Sequence, residues 1–336
     1  MRKILIYFTG FFIIFFIIPV LCTVTYKKEE QVQETVAETE NTQKQEEYNY
    51  EKYKTIKLLH SENMQIEELN IDEYLYGVVS SEMPANFELE ALKAQAVVAR
   101  TYTIYQIIHN YDKHQDADIC DNYSCCQAWI SKEERLSKWN SEEAESNWNK
   151  IVQAVNETKG KIVTYNKQPI NAFFHANSGG VTESSLNIWS EIDYPYLKSV
   201  ETSGEEGYTQ YASKVILNQQ EVLKKIQTKY EDCIIDFEQQ DSIKILENTS
   251  SGRVKTIKFG NKEIAGTEAR TLFGLKSTNF AVAIDGDNII FSVTGYGHGV
   301  GMSQTGADSL AKQGLKYEEI IKHFYTNVEI IDVNSL

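Results

Sequence analysis

Apolar and polar positions along the chain fall into runs of three kinds. The first is residues 4–24, uncharged and apolar throughout, behind Met1-Arg2-Lys3. A run of that length crosses the roughly 30 Å of a bilayer core as a helix, and basic residues ahead of it favour a cytoplasmic N-terminus and an exported body. No small-residue cleavage site follows cleanly, so a retained transmembrane helix is expected, preceded by a cytoplasmic tail of residues 1–3 and containing Cys22. Residues 25–54 are then Glu, Gln, Lys, Thr and Asn with few large aliphatics. Such a stretch cannot bury enough surface to fold and predicts a disordered acidic linker.

The second kind is helical. Leu89, Leu92, Ala96, Ala99 and Thr103 recur at three and four residues, and Val97, Ile104 and Ile108 fill a neighbouring stripe, which predicts one long core helix ending near Asn110. A shorter helix from Asp72 leads to Ser81-Glu82-Met83-Pro84, where the proline stops it. Further helices are predicted over 146–155, with Trp148, Ile151, Val152 and Val155 on one face, over 218–230, and through Ala311.

The third kind is short and strand-like: 55–60 and 65–69 about a turn, a hairpin of 162–165 with 170–174, strands around Ile234 and Val254, and 289–294. Together these predict an α+β fold: a single globular domain over 55–335, with short antiparallel strands and a long buried helix, behind the N-terminal membrane helix.

Charge narrows the partners. Over 336 residues the net charge is −15, which argues against nucleic acid or anionic lipid, whose phosphates are held by clustered Lys and Arg. Neutral glycan is compatible, and twenty tyrosines and four tryptophans suit sugar stacking as well as core packing.

Candidate chemistry sits at five places. Glu82 lies at a helix break, and Arg100 in the long helix needs an acidic partner, for which Glu82 is the nearest candidate; together they predict an acid/base site. The polar segment 114–126 holds His114, Cys120, Cys125 and Cys126. Thiolates and imidazole suit zinc, whereas an exported protein equally suits a disulfide from Cys120 to Cys125 or Cys126. His175 leaves a strand into Asn177-Ser178-Gly179-Gly180, a turn able to meet substrate. Pro195 makes its segment extended, presenting Tyr196 and Lys198 outward. Glycine repeats in Gly295-Tyr296-Gly297-His298-Gly299-Val300-Gly301-Met302-Ser303-Gln304 let backbone approach a ligand, with Ser303 as helix cap. Cys233, in an apolar context, reads as buried and inert.

Ser81-Glu82-Met83-Pro84, followed by Glu90-Ala91-Leu92-Lys93-Ala94-Gln95-Ala96-Val97-Val98-Ala99-Arg100-Thr101-Tyr102, resembles the signature of the stage II sporulation protein D/amidase-enhancer family, and the likeness runs from about Leu58 to Val333. The resemblance implies a peptidoglycan lytic transglycosylase with Glu82 as the catalytic acid and base. It cuts glycan strands stripped of stem peptides, leaves 1,6-anhydro-N-acetylmuramic ends, and serves septal wall remodelling and engulfment during endospore formation. Arg100, His175, Ser178, Tyr196, Lys198, His298 and Gln304 are implied as substrate contacts. Arg270 and Ser277 match positions that look structural. Some relatives carry zinc on a His and two Cys; His114, Cys120 and Cys126 match those positions, leaving Cys125 spare, and a structural metal is implied. Implied partners are the glycan strands, an amidase (stage II sporulation protein P) and a membrane protein (stage II sporulation protein M), at the membrane around the developing forespore. A zinc-dependent peptidoglycan hydrolase, or a non-catalytic wall-binding or amidase-stimulating module, are the rival readings.

Overall fold

The computed structural model describes residues 53–109, 114, 116–189, 193–239 and 241–336. The expected membrane span and nearly all of the linker lie outside these residues; among the described ones no helix is long and apolar enough to cross a membrane. The body is mixed α and β, with several small sheets around helices.

Strands β1 (Thr55–His60) and β2 (Gln65–Asn70) form the expected hairpin. Asn70 then caps helix α1 (Ile71–Glu82), its side chain accepting the Asp72 N–H. The helix stops because Pro84 forces the residue before it out of the helical region: Met83 is extended, at φ −122° and ψ 141°. Helix α2 (Leu89–His109) follows, and every residue from Ala94 to Gln106 is buried. The long buried helix expected from the sequence is thus present, and α2 is surrounded, as a helix apolar on nearly all faces must be.

Beyond α2 come β3 (Ile119–Cys120), α3 (Lys132–Lys138), α4 (Ala144–Glu157), β4 (Lys161–Tyr165), β5 (Gln168–Pro169), β6 (Phe174–His175) and α5 (Ser185–Ile188). The polar segment 114–126 contains a strand: β3 runs parallel to β1, setting Cys120 beside Leu59. The predicted hairpin is shorter than expected. Only Gln168 and Pro169 pair with β4, and the chain leaves to pair Phe174 and His175 in parallel with β13 (Met302–Ser303).

Between these lies a second core. Strand β7 (Ala212–Asn218), helix α6 (Gln219–Gln227), strands β8 (Ile243–Asn248), β9 (Val254–Phe259) and β10 (Lys262–Ala265), helix α7 (Gly266–Phe273), and strands β11 (Phe280–Asp285) and β12 (Asn288–Thr294) bury Val222, Ile226, Ile257, Phe259, Phe273 and Phe291 together. Ile234 forms no strand and is 73% exposed; the strand ahead of β9 is β8. Cys233 is buried, as read. Helices α8 (Gln304–Lys312) and α9 (Tyr317–Phe324) and strand β14 (Glu329–Asp332), paired with β4, complete the body. Two parallel pairs, β1 with β3 and β6 with β13, correct the expectation of antiparallel strands alone.

Candidate active site and metal cluster

Glu82 occupies the last position of α1, where the helix can no longer turn and the side chain is directed by what packs around it. Its Oε1 accepts the backbone N–H of Ala128 at 2.7 Å, and its Oε2 accepts Nε2 of Gln304 at 3.3 Å. Burial pushes the carboxyl above its ordinary value, an effect the Ala128 N–H and the Gln304 amide offset only in part. A carboxyl so held keeps its proton to higher pH than a solvated one and has a fixed direction in which to deliver it.

That direction is a cavity of 440 Å³, whose wall includes Glu82, His175, Arg270, Tyr296, His298 and Gln304. A second cavity of 440 Å³ shares Tyr102, Tyr123, Cys126, Phe173 and His298 with it and continues past Trp189 and Tyr194. The two form a groove with an aromatic floor. Phe173 lies 4.6 Å from Trp189 and 6.3 Å from Tyr194 between ring centroids, and His298 lies 5.7 Å from Trp189. Such faces suit the apolar sides of pyranose rings. Among the described residues lining the groove, Glu82 is the only carboxylate.

The parallel pairing of β6 with β13 makes this wall. It places His175 beside Ser303 and brings the glycine-rich segment across it, with Gly301 at φ +74° and a Cβ there falling 1.9 Å from the Phe173 carbonyl oxygen. His175 Nδ1 donates to Val300 O at 3.1 Å, and His298 Nδ1 accepts the Val300 N–H at 3.0 Å. Burial lowers both imidazoles, His298 to about 4 with help from Arg270 and Arg253, so both rings are neutral near pH 7.

Beneath the wall sits a residue that the sequence did not single out. The buried Glu205 accepts from the hydroxyls of Ser178, Ser303 and Thr202, from Thr305 at 2.9 Å, and from the Gly180 N–H at 3.1 Å. Burial alone would raise this carboxyl, but the donors outweigh it and hold it below the usual range. Ser178, expected as a substrate contact, is fully buried on Glu205 and acts by fixing the turn.

The structure therefore gathers Glu82, His175, His298 and Gln304 into one groove. It does not bring Arg100 there. That guanidinium is fully buried and donates to Thr158 O at 2.8 Å, Lys161 O and Val155 O at 3.2 Å, with Asp72 at 3.7 Å. Its acid is Asp72, not Glu82, and it closes the C-terminus of α4. Tyr196 is buried rather than presented outward, its hydroxyl accepting the Asn171 N–H at 2.9 Å, while Lys198 is exposed 3.2 Å from Asp193. Neither borders the groove. Arg270, read as structural, does.

Beside the groove, one ligand atom from each of His114, Cys120, Cys125 and Cys126 lies within 4.8 Å of the others. Zinc bonds of about 2.0–2.3 Å set tetrahedral edges of about 3.5–3.8 Å. Here His114 Nε2 lies 3.2 Å from Cys126 Sγ and 3.6 Å from Cys125 Sγ, and the latter two sulfurs are 3.9 Å apart. The donor set fits zinc, and Cys125, left spare by the sequence reading, stands within it. A hydrogen bond from Cys126 pulls the Cys120 thiol down to about 5 and pushes Cys126 up, so the cluster readily offers a thiolate.

The fold and groove define an α+β protein with one buried acid of raised proton affinity in an aromatic, ligand-sized cleft. The chain belongs to the stage II sporulation protein D family. Residues 59–165 match the family model described as Stage II sporulation protein. The chain is 34% identical over 283 residues to Stage II sporulation protein D of Bacillus amyloliquefaciens, spanning 84% of this chain and 80% of that protein, and 34% identical over 282 residues, with the same coverage, to that of Bacillus subtilis (strain 168). It is also 30% identical over 300 residues to the Amidase enhancer of Bacillus subtilis (strain 168), spanning 75% of this chain and 39% of that protein.

Proposed function

We propose that this protein is a lytic transglycosylase acting on peptidoglycan glycan strands during sporulation. The observation that carries the reading is a single carboxyl with a raised proton affinity, Glu82, in a groove whose described walls hold no second carboxylate. Hydrolytic glycosidases need two carboxylates, one for the leaving oxygen and one for water or the sugar. One suffices here if the sugar supplies its own nucleophile. Neutral Glu82 protonates the bridging oxygen as the glycosidic C–O bond breaks; as carboxylate it then takes the proton of the C6 hydroxyl of the same muramic residue, whose oxygen closes on C1. Ala128 and Gln304 hold the carboxyl in line through both transfers. The ring faces of Tyr102, Phe173, Trp189 and Tyr194 take the sugars. Digestion of purified strands followed by mass spectrometry tests this: the new ends should be one water lighter than hydrolysed ends.

His114, Cys120, Cys125 and Cys126 would hold zinc, which supplies rigidity to the loop that presents Ala128 to Glu82. Four protein ligands leave no open position of the kind a zinc hydrolase uses to activate water, which disfavours the hydrolase reading. The 30% likeness to an amidase enhancer favours one second reading, a wall-binding module that stimulates an amidase. Glycan binding unchanged in Glu82→Gln, with no anhydro ends from the unsubstituted chain, would select it. In the transglycosylase reading residues 4–24 anchor the body outside the cytoplasm, around the developing forespore. An amidase such as stage II sporulation protein P strips stems ahead of it, and the membrane protein stage II sporulation protein M holds the assembly.

A further inference from the structure

Arg270 stands out among the charged groups of the groove. The chain carries 48 acidic residues against 33 basic ones, yet Arg270 is the one cation among the described residues lining either cavity, and no acid there answers it. Its Nε donates to Leu275 O at 3.3 Å, which closes the end of α7 and fixes the side chain's course. Its two terminal nitrogens have no hydrogen-bond partner among the described residues. The only carboxylate on its own helix, Glu268, is taken by Lys229 at 2.9 Å. Beside Arg270 in the wall is Tyr296, and exposed Lys276 reaches that ring, its Nζ 3.2 Å from the hydroxyl and 4.4 Å from the centroid.

A partly buried guanidinium without a counter-charge is costly unless something brings one, because its fork of donors matches a carboxylate. Glu82 is held by Ala128 and Gln304 and forms no ion pair with Arg270.

Building on the cleavage reading above, we infer that Arg270, flanked by Tyr296 and Lys276, binds a carboxylate on the strand: the lactyl carboxylate that a muramic residue exposes when no stem peptide is attached. With a stem in place that carbon is an amide, neutral and with one acceptor oxygen, so the pair of donors loses both its charge and its second partner. Arg270 is thus a specificity-determining residue for bare strands.

Binding is measured with the full-length chain carrying Glu82→Gln, so that strands stay intact. Three probes are used: glycan with free lactyl carboxylates, the same glycan with those groups converted to methylamides, and stem-bearing glycan. The free-carboxylate strand should bind about tenfold or more tighter than the methylamide strand, and the preference should shrink as salt rises. Adding Arg270→Gln should bring the two strands to equal affinity, and Arg270→Lys should retain part of the preference. Equal binding of the two strands before Arg270 is changed would overturn the inference, as would Arg270→Gln weakening both by the same factor, the mark of a scaffold residue. Stem-bearing strands binding as tightly as bare ones, and losing as much with Arg270→Gln, would assign the guanidinium to a stem carboxylate instead and overturn it too. If Arg270→Gln does not fold, Arg270→Lys and the salt dependence decide, and a preference unmoved by salt is contrary. A carboxylate preference without anhydro product would leave this inference standing and remove the cleavage reading; anhydro product without the preference does the reverse.

Discussion

The backbone N–H of Ala128 lies 2.7 Å from Oε1 of Glu82, so the acid at the end of α1 is aimed by a residue two positions beyond Cys126. The His-Cys cluster and the Glu82 carboxyl are thereby linked through one loop, and the first prediction follows from that link. Protein prepared without chelator should hold about one zinc. Its removal should lower the melting temperature, because structural metal binding adds to folding free energy, and should slow cleavage by loosening Glu82. Cys125→Ser should weaken zinc binding as Cys126→Ser does, measured by chelator competition. Metal-free protein with a thiol count two short of its cysteines would mean a disulfide.

Glu82→Gln keeps the shape and loses the proton. Cleavage should fall on the order of a hundredfold or more, as loss of a general acid/base does. Its stability should change in a pH-dependent way. The folded carboxyl binds its proton more tightly than the unfolded one, so its contribution is fully present below the ordinary carboxyl range and is lost as pH rises through the raised value. Denaturant unfolding should accordingly show the glutamine variant gaining on the parent as pH rises. The cleavage rate of the parent should fall over the same window, since the acid form begins the reaction.

Arg100 belongs to the scaffold. Arg100→Met removes three carbonyl contacts at the end of α4 and leaves Asp72 without its buried cation, which should cost about 3–5 kcal/mol in denaturant unfolding. A variant of parental stability that had lost cleavage alone would place Arg100 in the site after all.

Glu205→Gln replaces one acceptor with a donor facing hydroxyl and amide donors. A loss of about 1–3 kcal/mol is expected. Because the native carboxyl is held below its usual range, the parent should lose that advantage as pH falls through the depressed value, and the two proteins should converge in acid. A gap independent of pH would show that Glu205 acts through the pattern of its hydrogen bonds and not through its charge.

What the sequence revealed were local relations. The end of α1 at Glu82 follows from Pro84, and the Ser303 cap from the glycine run before it, its side chain accepting the Gly306 N–H. The Cys and His spacing marked the candidate metal loop, although not that Cys125 joins the cluster, which depends on how the loop turns. Long-range partners were not legible. Arg100 shares a neighbourhood in sequence with Glu82, but its carbonyl partners stand 55 to 61 residues further on and its direction was set by α4 packing on α2. Glu205, in a run of Ser, Gly and Glu, looks like a solvated loop acid until β6 and β13 pair above it. Arg270 sits in a helix with an ordinary glycine cap, and only the fold turns that helix end toward the groove.

The central claim is that Glu82 alone, with the sugar's own hydroxyl, breaks the strand. Digestion of bare glycan in water enriched in the heavy oxygen isotope, with mass spectrometry of the new ends, tests it most directly. The account predicts anhydro ends that carry no heavy oxygen and that disappear with Glu82→Gln. Reducing ends bearing one heavy oxygen would show attack by water and contradict it.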